Sequence, residues 1–174
     1  MSTRDQILDA FETLIIEQGE RSATLTAVAA SAGVSKGGLL YHFDSKQALA
    51  RGLAERVAEF SSVEEARIRA AEDPARQYLE ESLSLSEPID RTFVALSGLA
   101  LLDDYAVART ALADADTRIL ALFTELLGTR DLALLVVRLS DAYYQRAGAG
   151  IGQHEPEAAD LSALLQLIDR LKQR

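Results

Sequence analysis

The chain has 174 residues, a formal net charge of −9, and is 48% hydrophobic and 26% charged. That length and apolar fraction suit one compact domain or a small module joined to a larger one. The absence of cysteine excludes disulfides, zinc–thiolate sites and thiol nucleophiles, and the acidic balance argues against bulk attraction to nucleic acid or anionic lipid.

The opening residues, MSTRDQILDAF, mix charged and apolar positions and hold no uninterrupted apolar run, so no signal peptide is expected. The most apolar stretch, Phe93 to Leu102, contains Ser97 and Gly98 and falls short of the ~20 residues a membrane span needs. The expectation is a soluble cytoplasmic protein that has no membrane partner.

Helical spacing recurs along the chain and no strand-like alternation persists, so the expected fold class is all-α. Thr3-x-x-Gln6 has the form of a capping box ahead of an apolar stripe of Ile7, Phe11, Leu14 and Ile15, which Gly19 stops. A second, short helix is expected from Thr26 to Ala32, ended by Gly33, and a third in "SKGGLLYHF", Ser35 to Phe43. Ser45 is placed to cap a fourth helix running from Lys46 to Ala71. Asp73-Pro74 and Glu87-Pro88 mark later starts, since proline favours the first helical turn. Further helices are expected at 75–86, 89–101, 104–127, 130–147 and 157–173.

The last two helices are apolar on more than one face. Leu132, Leu135, Val136, Leu139 and Tyr143 form one stripe, with Leu134, Val137 and Tyr144 adding a second face. Leu161, Leu164, Leu165, Ile168 and Leu171 form the stripe of the final helix, widened by Leu167. A helix that is apolar on two faces must be covered on both. In a small chain a second subunit is the expected cover, and a central core helix is the alternative.

Thr24 to Phe43, "TLTAVAASAGVSKGGLLYHF", has the layout of a helix-turn-helix, whose second helix enters the major groove. Val28, Ala29, Ala32, Val34, Leu39 and Phe43 fall where they can meet Phe11 and Leu14 of the first helix. Gly37 and Gly38 weaken a short helix by about 1 kcal/mol each. At the start of a recognition helix, however, a missing Cβ permits close backbone approach, and N–H groups there attract phosphate.

The block "AxxAGVSKGxLxYHFxSKxxL" closely resembles the DNA-binding domain of the tetracycline-repressor (TetR) family of bacterial regulators, over residues 3 to about 52. The resemblance implies a three-helix DNA-binding domain at residues 1–50 and a helical ligand-sensing and dimerisation domain at 51–174. It implies that Thr24 and Thr26 contact phosphate at the start of the second helix. Ser35, Lys36 and Gly37 would read base edges, with Gly38 beside them. Tyr41 and His42 would lie on the DNA backbone, and Lys46 would bind phosphate. Two positions depart from the family pattern. Gly38 stands where Thr, Ser or Ala is usual and Leu40 where Tyr is common, and each removes one phosphate hydrogen bond.

Placement of charge answers the acidic balance. Residues 1–56 carry six basic side chains against seven acidic ones, so most of the −9 lies beyond them. Two of the chain's three lysines are Lys36 and Lys46, and a homodimer doubles whatever they supply.

The resemblance also implies a small-molecule pocket in the C-terminal helices. Phe93, Ser97, Asp103, Tyr105, Phe123, Asp141 and Tyr144 are candidate lining residues, with ordinary core packing as the alternative for the aromatics. A carboxylate there would favour a cationic, lipophilic effector, unless Asp103 and Asp141 pair with Arg109, Arg138 or Arg146. "AGAGIG" (147–152) lacks the preceding strand of a dinucleotide loop. His42 and His154 assemble no metal or catalytic set, so no catalytic residue, metal or cofactor is expected. The expected function is a ligand-responsive transcription regulator, a repressor acting on a palindromic double-stranded DNA operator as a homodimer, with a small apolar or amphipathic effector. A small helical enzyme and a helical interaction module without operator binding are the alternatives.

Overall fold

The computed structural model describes residues 2–83, 87–148 and 156–172, without the side chains at 147, 148, 156–159 and 172. Among the described residues the regular structure is entirely helical. Its elements are α1 Thr3–Gln18, α2 Leu25–Ser31, α3 Lys36–His42, α4 Lys46–Ala70, α5 Pro74–Glu81 and α6 Pro88–Ala100. A single 3-10 turn follows at Asp103–Tyr105, then α7 Ala106–Leu127, α8 Arg130–Gly148 and α9 Pro156–Lys172. His154 and residues 149–152 of "AGAGIG" lie outside the described residues.

Local capping chemistry sets most of these boundaries. The box of α1 is Ser2 with Asp5 rather than Thr3 with Gln6. The Ser2 hydroxyl accepts from the Asp5 N–H at 3.1 Å and the Asp5 carboxylate accepts from the Ser2 N–H at 3.1 Å. Those hydrogen bonds from Ser2 hold the Asp5 carboxyl below the usual carboxylate range. Gly19, at φ 80°, ends the helix in a conformation that side chains with a Cβ rarely adopt. Thr24 caps α2 by accepting from the Ala27 N–H at 3.2 Å, so the helix begins at Leu25 instead of Thr26. Ser45 caps α4 as expected, accepting from the Ala48 N–H at 3.1 Å. Helix α5 stops at Glu81, earlier than its apolar pattern implies, where the Ser82 hydroxyl donates to the Tyr78 carbonyl at 2.7 Å.

The helices fall into two compact units, residues 1–60 with 87–115 and residues 61–86 with 116–174. The first is built on Ile7, Leu8 and Phe11 of α1, which are fully buried with Leu39 of α3 and Leu49 and Leu53 of α4. Val28, Ala29 and Phe43 join them, and Leu96 and Leu99 of α6 complete the cluster. Gly52 makes the α4 contact possible. A Cβ there would lie 2.9 Å from both Leu8 Cδ2 and Phe43 Cε1, closer than carbon atoms approach without displacement.

The second unit buries Ile68, Leu79, Leu122, Phe123, Val136, Val137 and Ile168 in its own cluster. The Tyr78 and Phe123 rings meet there at 5.0 Å. This bears on the expected dimer stripes. Leu132, Val136, Leu161, Leu165 and Ile168 are buried within the single chain, because α8 and α9 turn these positions onto their own unit's core. Leu135, Leu139, Tyr143 and Leu164 are only half-buried, and Leu167 and Leu171 are exposed. The uncovered apolar positions therefore sit one step around each helix from the centre of the expected stripe, and replacing Leu165 would damage the protomer itself.

Candidate nucleic-acid interface

The first unit presents α3 at its surface. Ser35 caps this helix, its hydroxyl accepting from the Gly38 N–H at 3.0 Å, while Leu39 anchors it in the core. The remaining side chains turn outward. Lys36 and His42 are exposed, Leu40 is 42% exposed and Tyr41 is 87% exposed. An aromatic ring left almost wholly in water is uncommon, since its burial is worth several kcal/mol. The Tyr41 and His42 rings meet edge to face, with centroids 5.2 Å apart. Beside them is an open hollow of about 430 Å³, with Arg4, Arg51 and Glu55 also in its lining.

The two glycines have different local reasons. A Cβ on Gly37 would find only Ser35 Oγ, at 4.0 Å, and otherwise open space. A Cβ on Gly38 would press on the capping Ser35 Oγ at 3.2 Å, and its N–H is already taken by that cap. Gly37 thus leaves room for an approaching molecule, and Gly38 makes room for the cap.

Thr24 and Thr26 are exposed at the start of α2, although the Thr24 hydroxyl is engaged in capping. The basic side chains divide into two groups. Arg4 pairs with Glu55 at 2.5 Å and lies over the Phe43 ring, 5.5 Å from its centroid. Arg56 lies 2.8 Å from both Asp9 and Glu12. Lys46, expected to bind phosphate, instead donates to the Glu20 backbone carbonyl at 2.9 Å and is ion-paired with the Glu20 carboxylate. Hydrogen bonds from Lys46 and then Tyr105 hold that carboxyl below the usual range. Lys36 and Arg51 are exposed and take part in no ion pair among the described residues. They supply the cationic character of this face.

Glu12 is the functional-looking group that the sequence pattern missed. It is 2% exposed, accepts from Arg56 at 2.8 Å and from the Thr92 hydroxyl of α6 at 2.5 Å. Burial raises its pKa, opposed by Thr92 and Arg56. It occupies a core position of α1, and its only sequence signal is a charged residue inside an apolar stripe. Its arrangement ties α1, α4 and α6 together and is structural.

The expected effector-lining residues are divided between the two units. In the first unit, Phe93 meets Phe60 edge to face at 6.4 Å, and Ser97 and Asp103 are exposed. Tyr105 is buried with its hydroxyl donating to Glu20. In the second unit, Phe123 is core and Tyr144 is half-buried. Asp141 pairs with Arg138 at 2.6 Å, which removes the argument for a cationic effector at that carboxylate. Asp103 offers Arg109 only its backbone carbonyl, at 3.4 Å. Among the described residues no group of three or more His, Cys, Asp or Glu side chains is arranged to hold a metal, and no helix is long and apolar enough to cross a membrane.

Residues 7–53 match the family model described as bacterial regulatory proteins, tetR family. Over 46 residues the chain is 41% identical to the HTH-type transcriptional repressor KstR2 of Rhodococcus jostii, covering 26% of this chain and 22% of that protein. Over 44 residues it is 43% identical to the HTH-type transcriptional repressor BepR of Brucella suis, covering 25% and 21%. The alignments thus span only about a fifth of either relative. Solved structures extend the likeness in fold to nearly the whole chain. Reduced E. coli NemR superposes with a TM-score of 0.72 at 19% identity, covering 94% of this chain and 96% of that one. A transcriptional regulator from Pseudomonas aeruginosa gives 0.74 at 18%, covering 97% and 89%. The matched residues are those that build and present α3, so the likeness to the tetR family of bacterial regulatory proteins lies in residues 7–53, and the likeness to the solved structures along the rest of the chain is one of all-helical fold.

Proposed function

We propose that the protein is a ligand-responsive transcription regulator, a repressor that binds a palindromic operator as a homodimer in the cytoplasm. Residues 1–50 are its DNA-binding part. The observation that carries this reading is the outward face of α3, where Lys36 has no carboxylate partner among the described residues, Gly37 leaves the backbone approachable and Tyr41 stands 87% exposed. Those features suit a phosphate-lined groove. Thr24, Thr26 and Ser35 flank that face, and Lys46 reaches phosphate by leaving Glu20.

The remaining residues, 51–174, dimerise and sense an effector. The uncovered positions of α8 and α9, Leu135, Leu139, Leu164, Leu167 and Leu171, form the partner face. An apolar or amphipathic effector is the ligand class that this reading implies. The fold also resembles that of SmeT solved as a triclosan complex, with a TM-score of 0.68 at 21% identity. Effector binding acts by favouring a conformer with lower DNA affinity. The relatives are transcriptional repressors and regulators rather than enzymes, which supports this function over a small helical enzyme.

Selection of duplexes from a random-sequence library by the intact protein tests the proposal. Enrichment of a palindrome whose half-sites are about one helical turn apart, or a multiple of it, is expected. A library that remains unenriched overturns it.

A further inference from the structure

The ion pair of Lys46 has a third member. Lys46 opens α4, Glu20 follows α1, and Tyr105 closes the 3-10 turn after α6, so three separate segments of one unit meet at one carboxylate. Lys46 Nζ donates to the Glu20 backbone carbonyl at 2.9 Å as well as pairing with its carboxylate. The Tyr105 hydroxyl donates to Glu20 Oε1 at 2.5 Å. The ring that carries this hydroxyl is 2% exposed and therefore fixed. Lys46 and Glu20 keep 24% and 22% of their side-chain surface in water, which leaves the ammonium a path outward.

We propose that Glu20 is a positioning residue for DNA contact: it holds Lys46 back from phosphate in the free protein, and Tyr105 sets how readily it lets go. The inference rests on the DNA-binding function proposed above. To an ammonium, a carboxylate and a backbone phosphate are equivalent kinds of partner, so binding exchanges one ion pair for another. When Lys46 turns outward, Glu20 keeps the Tyr105 hydroxyl and the nearby positive charge of Arg21. It is not left as a half-buried anion without a donor, which would be costly. Drawing Tyr105 away removes that substitute, makes Glu20 depend on Lys46, and weakens DNA binding. A movement of the segment between α6 and α7 is thereby felt at the phosphate contact.

The test measures affinity for the duplex selected by the intact protein, using fluorescence anisotropy on Glu20→Gln, Tyr105→Phe, Lys46→Ala and the Glu20→Gln/Lys46→Ala double variant. Glu20→Gln binds about fivefold more tightly than the parent, the scale of one partly exposed ion pair. Tyr105→Phe binds more weakly, and the gain from Glu20→Gln disappears in the Lys46→Ala background. Glu17→Gln removes the same charge from an exposed position of α1 and measures the simple charge effect. Loss of fold would weaken both Glu20→Gln and Tyr105→Phe, so opposite signs separate positioning from damage. Tightening no larger than that of Glu17→Gln, or equal tightening with and without Lys46, overturns the inference and leaves the DNA-binding function standing. Failure of the parent to select any duplex removes both.

Discussion

The two units treat charge in opposite ways. The first places a carboxylate in its core, where Glu12 is 2% exposed and held by Arg56 and Thr92. Among its described residues the second buries only neutral hydroxyls, Ser82 and Ser140, whose oxygens are 2.6 Å apart, with the Tyr78 phenol near them pushed up to about 12 by burial. Its charges stay at the surface, as in the pairs of Arg138 with Asp116 and Asp141. The first unit is therefore specified by polar geometry as well as apolar volume, and the second almost wholly by apolar volume. Substitutions that remove volume will harm either unit, whereas substitutions that remove charge will discriminate between them.

The largest effect belongs to volume. Phe123→Ala empties a fully buried site in the second unit and should lower the free energy of unfolding by about 4 kcal/mol, read from denaturant midpoints at unchanged slope. A loss below about 1 kcal/mol would mean that this cluster is loosely packed.

Arg56→Ala comes next, because it strands Glu12 without its cation. The expected loss is about 3 kcal/mol at neutral pH. The raised pKa means that the folded state holds the Glu12 proton at higher pH than the unfolded chain does. Stability from this group is thus fully present below the ordinary carboxylate range and declines as pH rises through the folded pKa. The deficit of Arg56→Ala should accordingly narrow as the denaturation is repeated at progressively lower pH, because Glu12 without its cation takes up a proton more readily. A deficit independent of pH would show that Glu12 is not the group left uncompensated.

Glycine substitution sharpens the comparison within the first unit. Gly52→Ala drives a methyl to 2.9 Å from Leu8 and Phe43 and should cost about 2 kcal/mol through overpacking. Gly98→Ala finds its nearest neighbour, Ile15 Cγ2, at 3.9 Å and should gain about 0.5 kcal/mol from helix propensity. Thermal melts of the two variants should move in opposite directions. The smallest effect is that of Arg138→Ala in the second unit. This arginine is 53% exposed, so its two surface pairs should be worth within about 0.5 kcal/mol. A larger loss would erase the contrast between the units.

What the sequence made legible follows the same division. Caps and breakers such as Gly19, Gly33 and Ser45 are local, and the ends of α1 to α4 could be read to within a residue or two. The helix-turn-helix was legible because its apolar and small positions must occur in fixed register to cross closely. Burial partners were not legible. Periodicity showed that α8 is apolar on two faces, but Val136 and Val137 are both fully buried within the chain, and spacing alone could not tell an internal cover from an external one. Lys46 was placed correctly at the start of α4. Its partner Glu20 lies 26 positions away, and no local pattern signals that pairing. Glu12 was overlooked because a charged residue in an apolar stripe looks like the edge of the stripe.

The central claim is that the exposed face of α3 contacts DNA. Repeating the library selection with Lys36→Ala, alongside the parent, tests this most directly, because Lys36 is exposed, in no ion pair among the described residues and unneeded for the core. The expected result is affinity lowered about tenfold for the parental duplex, with relaxed preference at one position in each half-site, as the loss of one base contact produces. Selection of the same motif at the same affinity by Lys36→Ala would contradict the claim.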